Sequence, residues 1–220
     1  MNPEESQIIL VDKPAGISSF GVVAKIRGYL RAKYGHKIKV GHTGTLDPFA
    51  TGLLIILTGK MTKKSDEFLK KDKIYDATLR LGYTSTTGDP EGEITKRESE
   101  EVLETDIAST LQSFTGTISQ TPPRFSAIKI DGERAYKLAR KGADFEMPTR
   151  KVTIYSIKIL SYHYPELTIR CHVSSGTYIR TLAEDIGKSL GTGAYLTALR
   201  RLSIADYHVE DAHALSDFTS

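Results

Sequence analysis

Residues 41–52 read "GHTGTLDPFATG" and place an imidazole, His42, five residues ahead of a carboxylate, Asp47. A carboxylate held ionised and aimed can act as a nucleophile or stabilise a developing positive charge. An Asp-Pro step is equally the ordinary start of a helix, with the carboxylate as N-cap and proline in the first turn. The two readings can coexist, because a helix start favours the ionised form. Two further groups could do chemistry. Tyr75 lies in "KIYDATLRLG", where local pattern makes it one more apolar residue of a strand; Arg180 lies in "TYIRTLAEDIG", where it can form an exposed pair with Glu184 four residues on. The chain has no GxxxxGK[ST] loop, no HExxH or CxxC spacing and no GxSxG elbow. The chemistry expected is therefore that of side chains, with no metal and no organic cofactor.

The bulk properties narrow the class. The chain has 220 residues, 39% hydrophobic and 26% charged, which suits one domain with a real core. Its single cysteine, Cys171, excludes an internal disulfide framework and fits a reducing cytosol. The opening "MNPEESQIIL" carries early acids and no long apolar run, so it does not read as a signal peptide, and "GLLIIL" is too short to span a bilayer. A soluble cytoplasmic protein with no membrane association is expected. Net charge is only +3, yet it is segregated. Between Lys13 and Leu46 stand Lys13, Lys25, Arg27, Arg31, Lys33, Lys37 and Lys39 with no acid, whereas eight acids crowd Asp89–Asp106. Such a distribution is either a pair of solvated faces or a positive surface for a polyanion such as nucleic acid.

The elements that must position these groups follow from spacing. "IILVDK" is a strand and "SFGVVAKIRGYLRAKYG" a helix, with Ser19 as its cap, Val22, Val23, Ile26 and Leu30 as its inner stripe and Gly35 as its stop. "LLIIL" is a buried strand, "TKKSDEFLKKDK" a charged helix and "IYDATLRLG" a strand with Tyr75, Ala77, Leu79 and Leu81 on one side. "TSTTGDPEGEIT" reads as a loop, and "SEEVLETDIASTLQSF" as a helix facing inward through Val102, Leu103, Ile107, Leu111 and Phe114. A hairpin around "KIDGER" and a short helix follow. Then come two neighbouring strands, "KVTIYSIKILSYHY" and "ELTIRCHVSS", a helix over "TYIRTLAEDIGKSLG" and strand-like text from "AYLTALRRL", with a weakly patterned acidic end. Helices and strands do not alternate regularly, which favours an α+β fold on a mixed, mostly antiparallel sheet.

Five stretches in order resemble the TruB family of tRNA pseudouridine synthases: "VDKPAGISSF", "GHTGTLDPFATGLLIILTGKMTK", "KIYDATLRLGYTSTTGDPEGEI", "QTPPRFSAIKIDGERAYKLARKG" and "SSGTYIRTLAEDIGKSLGTGAYLTALRRL". They run from about residue 8 to about residue 207. The resemblance implies the pseudouridine synthase fold over residues 1–220 as a single catalytic domain. It also implies a thumb-like RNA-gripping insertion at about 120–150, and isomerisation of the T-loop uridine at tRNA position 55. Family members usually continue into a small C-terminal RNA-binding domain, whereas this chain stops soon after "RRLSIADYHVEDA".

The same resemblance assigns roles. Asp47 becomes the catalytic aspartate, an ionised nucleophile or charge stabiliser, with Arg180 beside it to keep it charged, and Tyr75 the ring that stacks on uracil and takes part in proton removal. Leu199 becomes a wall of the uracil pocket. His42 fills the gap left by the flipped base, offsetting lost stacking, and need not titrate. Gly41 and Thr43 share its motif, and Lys13 and Pro14 support the loop, with Lys13 a further phosphate or backbone contact. Arg124 and Lys129, with Arg134, Lys137, Arg140 and Lys141, join the basic run as contacts for phosphates and sugars. The expected partner is a tRNA T-arm stem-loop, bound by a monomer with no obligatory protein partner. Two rivals stand beside this reading: a guide-RNA-dependent synthase subunit and a non-catalytic RNA-binding or tRNA-folding module.

Overall fold

A computed structural model describes residues 5–219; the first four residues of the opening stretch lie outside the described residues, as does Ser220. In chain order it contains β1 (Ile8–Lys13), α1 (Ser19–Tyr34), β2 (Val40–His42) and β3 (Thr51–Thr58). A 3-10 stretch, Gly59–Lys64, then runs into α2 (Ser65–Leu69) and β4 (Lys73–Leu81). Next are β5 (Tyr83–Ser85), β6 (Ile94–Lys96), α3 (Glu104–Ser113), β7 (Gly116–Gln120), β8 (Lys129–Ile130), β9 (Glu133–Arg134) and α4 (Ala135–Arg140). The chain closes with β10 (Arg150–His163), β11 (Glu166–Val173), α5 (Ile179–Ser189), β12 (Ala194–Ile204), β13 (Tyr207–His208) and β14 (His213–Ala214). The fold is α+β on a mixed sheet, as expected from the pattern.

The chain gathers into two compact units, one formed up to Asp76 together with Leu199 onward, the other by Ala77–Ala198. Strands β4 and β12 each begin in one unit and end in the other. In the first unit the strand order is β14-β1-β3-β12, with β2 also on β3 and β13 on β12. β3 runs antiparallel to β1 and β2 and parallel to β12. It is buried on both faces. Leu54 and Ile56 meet Val22, Val23, Ile26 and Leu30 of α1, while Leu53, Ile55 and Leu57 meet Phe68, Ile204 and Val209. A strand covered on both sides reads as an unbroken apolar run, which is what "LLIIL" is.

In the second unit the order is β12-β4-β11-β10-β7. β4 alternates as predicted, with Tyr75, Ala77, Leu79 and Leu81 all buried. α5 turns Ile179, Leu182, Ala183 and Ile186 inward, as its spacing requires. Between the paired strands β7 and β10 the chain leaves the sheet; residues 121–149 carry the β8–β9 hairpin and α4. The hairpin turns at Asp131 and Gly132 with φ of 48° and 88°, the left-handed pair that the Asp-Gly dipeptide favours.

Five local expectations differ from the structure. Ser18, not Ser19, caps α1, accepting from Gly21 N–H at 3.0 Å, because Ser19 is drawn into a bond with Leu46. The charged helix resolves into a 3-10 stretch and only five α-helical residues, since its sole buried apolar anchor is Phe68. "TSTTGDPEGEIT" supplies parts of the paired strands β5 and β6 rather than loop throughout. Leu103 is exposed ahead of α3, not on its inner face. The weakly patterned end is ordered up to Thr219, with Leu215 and Phe218 buried against α1 and β3. Gly35 ends α1 in the left-handed conformation, φ 73°, as read.

Gly52 carries a constraint of its own. Its φ is +102°, and a Cβ there would clash with the backbone oxygen of Arg201 and lie 2.7 Å from its nitrogen. Gly52→Ala is therefore expected to cost at least about 2 kcal/mol in denaturant unfolding. Gly28→Ala, in α1 with nothing within 4 Å of the new methyl, should stabilise by about 0.5–1 kcal/mol in the same assay.

Candidate active site

His42 ends β2, the segment joining β2 to β3 carries Asp47, and the backbone of that segment is held by four other elements. Thr43 N–H donates to Ile55 O at 3.0 Å. Gly44 O accepts from the Arg201 guanidinium at 3.2 Å. Leu46 N–H donates to Ser19 Oγ at 2.8 Å, and the same hydroxyl donates to Leu46 O at 2.9 Å. Pro48 O accepts from Gly16 N–H at 2.8 Å and from Lys13 Nζ at 3.2 Å. Asp47 thus stands between two anchored residues. No helix follows it. Ala50 N–H donates to Asp47 O at 3.1 Å, closing a single turn, and β3 begins at Thr51. The helix-cap reading and its dipole fall away, leaving a half-buried carboxylate on a fixed loop. Such fixation is what an aimed nucleophile requires.

The neighbouring candidates divide into supports and facing groups. Lys13 is fully buried and donates to Pro14 O, Ile17 O and Pro48 O at 2.9, 2.7 and 3.2 Å. Its ammonium is inside the loop, so it supports the loop and does not reach a phosphate at the surface. Pro14 is exposed. Gly41 and His42 lie on β2 opposite Leu57 and Ile56. Thr43 is fully buried, and its Oγ1 has no hydrogen-bond partner among the described residues. The His42 ring is half-buried, with Nδ1 buried and unpartnered among the described residues. Burial first, and then the Arg201 charge, lower its pKa from 6.5, so the imidazole is neutral at neutral pH. That agrees with a role in which it does not titrate. Tyr75 is buried on β4 and Leu199 on β12, both in the first unit.

Arg180 belongs to the second unit and is buried, not exposed. Its Nη1 donates to Asp89 Oδ2 and to Thr87 O, both at 3.0 Å, and its Nη2 donates to Phe125 O at 2.9 Å. The ion pair within this unit is with Asp89; burial pushes the Glu184 carboxyl up, with Arg180 acting against it and Asp185 and Asp89 adding to it. Asp89 also accepts from Thr87 Oγ1 at 2.6 Å and Glu91 N–H at 3.0 Å. A buried ion pair is tolerable when its remaining lone pairs and protons are satisfied in this way. Sequence reasoning missed Asp89 because it sits in "GDPEG", turn-forming text amid acids; only its Asp-Pro step, shared with Asp47, marks it. Arg201 was missed too, since "ALRRL" was read through Leu199 alone.

The basic surface holds where it was expected, with one exception. Lys25, Arg27, Arg31, Lys33, Lys37 and Lys39 are all exposed, and Lys13 is not. In residues 121–149, Lys129, Arg134, Lys137, Arg140 and Lys141 are exposed. Arg124 is exposed as well, yet donates to Ala143 O at 2.6 Å and stacks 4.5 Å from the Phe145 ring centroid. Among the described residues no helix is long and apolar enough to cross a membrane.

A family model described as TruB family pseudouridylate synthase (N terminal domain) matches residues 30–179, and one described as tRNA pseudouridylate synthase B C-terminal domain matches residues 180–220. A tRNA pseudouridine synthase B from Phocaeicola vulgatus is 47% identical over 220 residues, 99% of this chain and 94% of its own. One from Neisseria meningitidis is 44% identical over 208 residues, 94% of this chain and 66% of its own. Among solved structures, the one described as a Cbf5-Nop10-Gar1 complex contains a chain that superposes with a TM-score of 0.74 at 30% identity, covering 97% of this chain and 53% of that chain.

Lys73, two residues before Tyr75, donates to Leu69 O at 3.1 Å and to Lys71 O. Burial, then the Arg201 charge, pull it down from 10.5 to about 8, with Asp72 opposing. The unfolded chain therefore binds more protons than the folded one between about pH 8 and 10.5, and stability contributed by this group rises across that window. In a Tm series from pH 7.5 to 10, Lys73→Met should flatten the rise relative to wild type.

Proposed function

The chain belongs to the TruB family of pseudouridylate synthases, and we propose that it isomerises the T-loop uridine at tRNA position 55 to pseudouridine, acting without a protein partner. The observation that carries this reading is the loop that anchors Asp47 on both sides, in a chain nearly coextensive with a tRNA pseudouridine synthase B. In the reaction the bond from uracil N1 to the ribose breaks, the base turns, and a bond from carbon 5 to the same ribose carbon forms. The carbon-5 proton leaves and N1 gains one, so product and substrate have the same atoms and no cofactor is consumed.

Asp47 supplies the carboxylate that attacks, or neutralises charge, beside the breaking bond. Tyr75 presents its ring to the base and takes part in removing the carbon-5 proton, and Leu199 lines the pocket. Arg180 is assigned to the same reaction as its cation, a use for which a buried guanidinium is suited. His42 occupies the place the base vacates, and a neutral ring suits insertion into a stack. The exposed cations of α1 and of residues 121–149 meet phosphates, which orient the RNA.

The likeness to a Cbf5 complex favours a second reading, in which turnover needs guide RNA and accessory proteins. A T-arm stem-loop tritiated at carbon 5 separates the two. The purified protein alone should release tritium to water. Asp47→Asn should reduce release to background, and Arg180→Lys should lower kcat by about 10²–10³-fold. Release only after guide RNA and partners are added would establish the second reading, and tight binding with no release under either condition would leave an RNA-binding module. His42→Ala should weaken binding and turnover with no new pH dependence between pH 6 and 8; a shifted profile would mean the ring exchanges a proton.

A further inference from the structure

Arg201 is fully buried, and within the described residues its guanidinium bonds to two backbone carbonyls and to no carboxylate. Nε donates to Leu53 O at 2.7 Å and Nη2 to Gly44 O at 3.2 Å. A guanidinium stays charged at any accessible pH, and burying one is costly unless paired. Its neighbour in sequence shows the ordinary solution: Arg200, on the alternate face of β12, makes a two-pronged pair with Asp12 at 2.7 and 3.1 Å and stays part-exposed. Arg201 forgoes an acid and spends its donors on geometry.

That geometry is specific. β12 runs parallel to β3 with Arg201 opposite Gly52, and the backbones approach so closely that no side chain fits at residue 52. The start of the Arg201 side chain is thereby fixed. From there it bridges Leu53 on β3 to Gly44, the residue that follows His42 and Thr43 and has φ +121°. The planar fork spans two carbonyls that a lysine ammonium, a single point on a flexible stem, holds less well.

We propose that Arg201 is a positioning residue for base flipping: it braces the His42–Gly44 turn against β3 so that the His42 ring is presented in the one orientation that fills the vacated stack. The inference rests on the role given to His42 above. Its charge acts on the same ring, in addition to burial, in the direction that keeps the imidazole neutral.

The test uses the full chain with a T-arm stem-loop carrying 2-aminopurine beside the target uridine, whose fluorescence rises on unstacking. Arg201→Lys, kept cationic, should bind this RNA within about twofold of wild type. It should lose about 10- to 100-fold in single-turnover rate, the scale of a small misplacement, and show a diminished fluorescence rise. Adding His42→Ala to it should cost little more than His42→Ala alone, since both act through one ring. In the RNA-free protein, Arg201→Gln should raise the imidazole pKa of His42 followed by NMR, a change that a purely structural loss elsewhere would not produce. If Arg201→Lys does not fold, Gly44→Ala strains the same contact from the loop side and should give the same rate and fluorescence defects. Wild-type flipping in a folded Arg201→Lys, or effects of the two substitutions that multiply, overturns the inference while leaving His42 in its role. Wild-type flipping in His42→Ala overturns that role and the inference together.

Discussion

A carboxylate can serve as an aimed nucleophile only if the backbone carrying it does not move, and here that backbone is held by buried cations bonded to carbonyl oxygens. Lys13 takes Pro48 O and Arg201 takes Gly44 O, with Ser19 fastening Leu46 between them. Each bond ties residues 43–50 to a different part of the first unit: the end of β1, the start of α1 and strand β12. Both cations are buried, and in that low-dielectric surrounding a bond from a charged donor to a carbonyl oxygen is stronger than the same bond in water. Burying two cations is the cost of this rigidity, and the Arg201 charge acts beyond its own bonds: after their own burial, it is the second cause that lowers the pKa values of Lys73 and His42.

The supports depend in turn on β3. Buried on both faces, it cannot slide without moving one apolar set against α1 and the other against Phe68 and Ile204. Its first residues are where the chain needs glycine: at Gly52 a parallel neighbour comes within a distance that leaves no room for a methyl. One strand therefore serves as the core of its unit, the partner of β12 and the exit of the acid-bearing loop.

The second unit solves a comparable problem by different means. Arg180 is held by a carboxylate, Asp89, and by two carbonyls, one of them Phe125 O from the segment between β7 and β10. Bonding from that segment to a buried arginine means that its placement and the arginine's placement are not independent. Where Arg201 is braced by backbone alone, Arg180 sits in a satisfied ion pair, so the two guanidinium groups differ in the field they impose on their surroundings.

Local pattern was sufficient for what local physics governs. The helix over "GVVAKIRGYL", the two-faced strand "LLIIL", the alternation through Tyr75 and the Asp-Gly hairpin all follow from side-chain period and turn chemistry, which neighbours in sequence set. The motifs shared with the family further single out Asp47, Tyr75, Arg180 and His42. What pattern did not reach depends on contacts between residues far apart in the chain. Lys13 reads as a surface cation until it is found bonded to Pro48, and Arg201 as one of a pair until it is found 157 residues from the carbonyl it holds. Asp89 looks like turn punctuation until Arg180, 91 residues on, closes on it. Asp47 looks like a helix cap until the strand that follows takes the place of the helix. A lone basic or acidic residue carries no periodicity, so whether it is solvated or buried against a distant carbonyl is settled only when tertiary packing brings that partner to it.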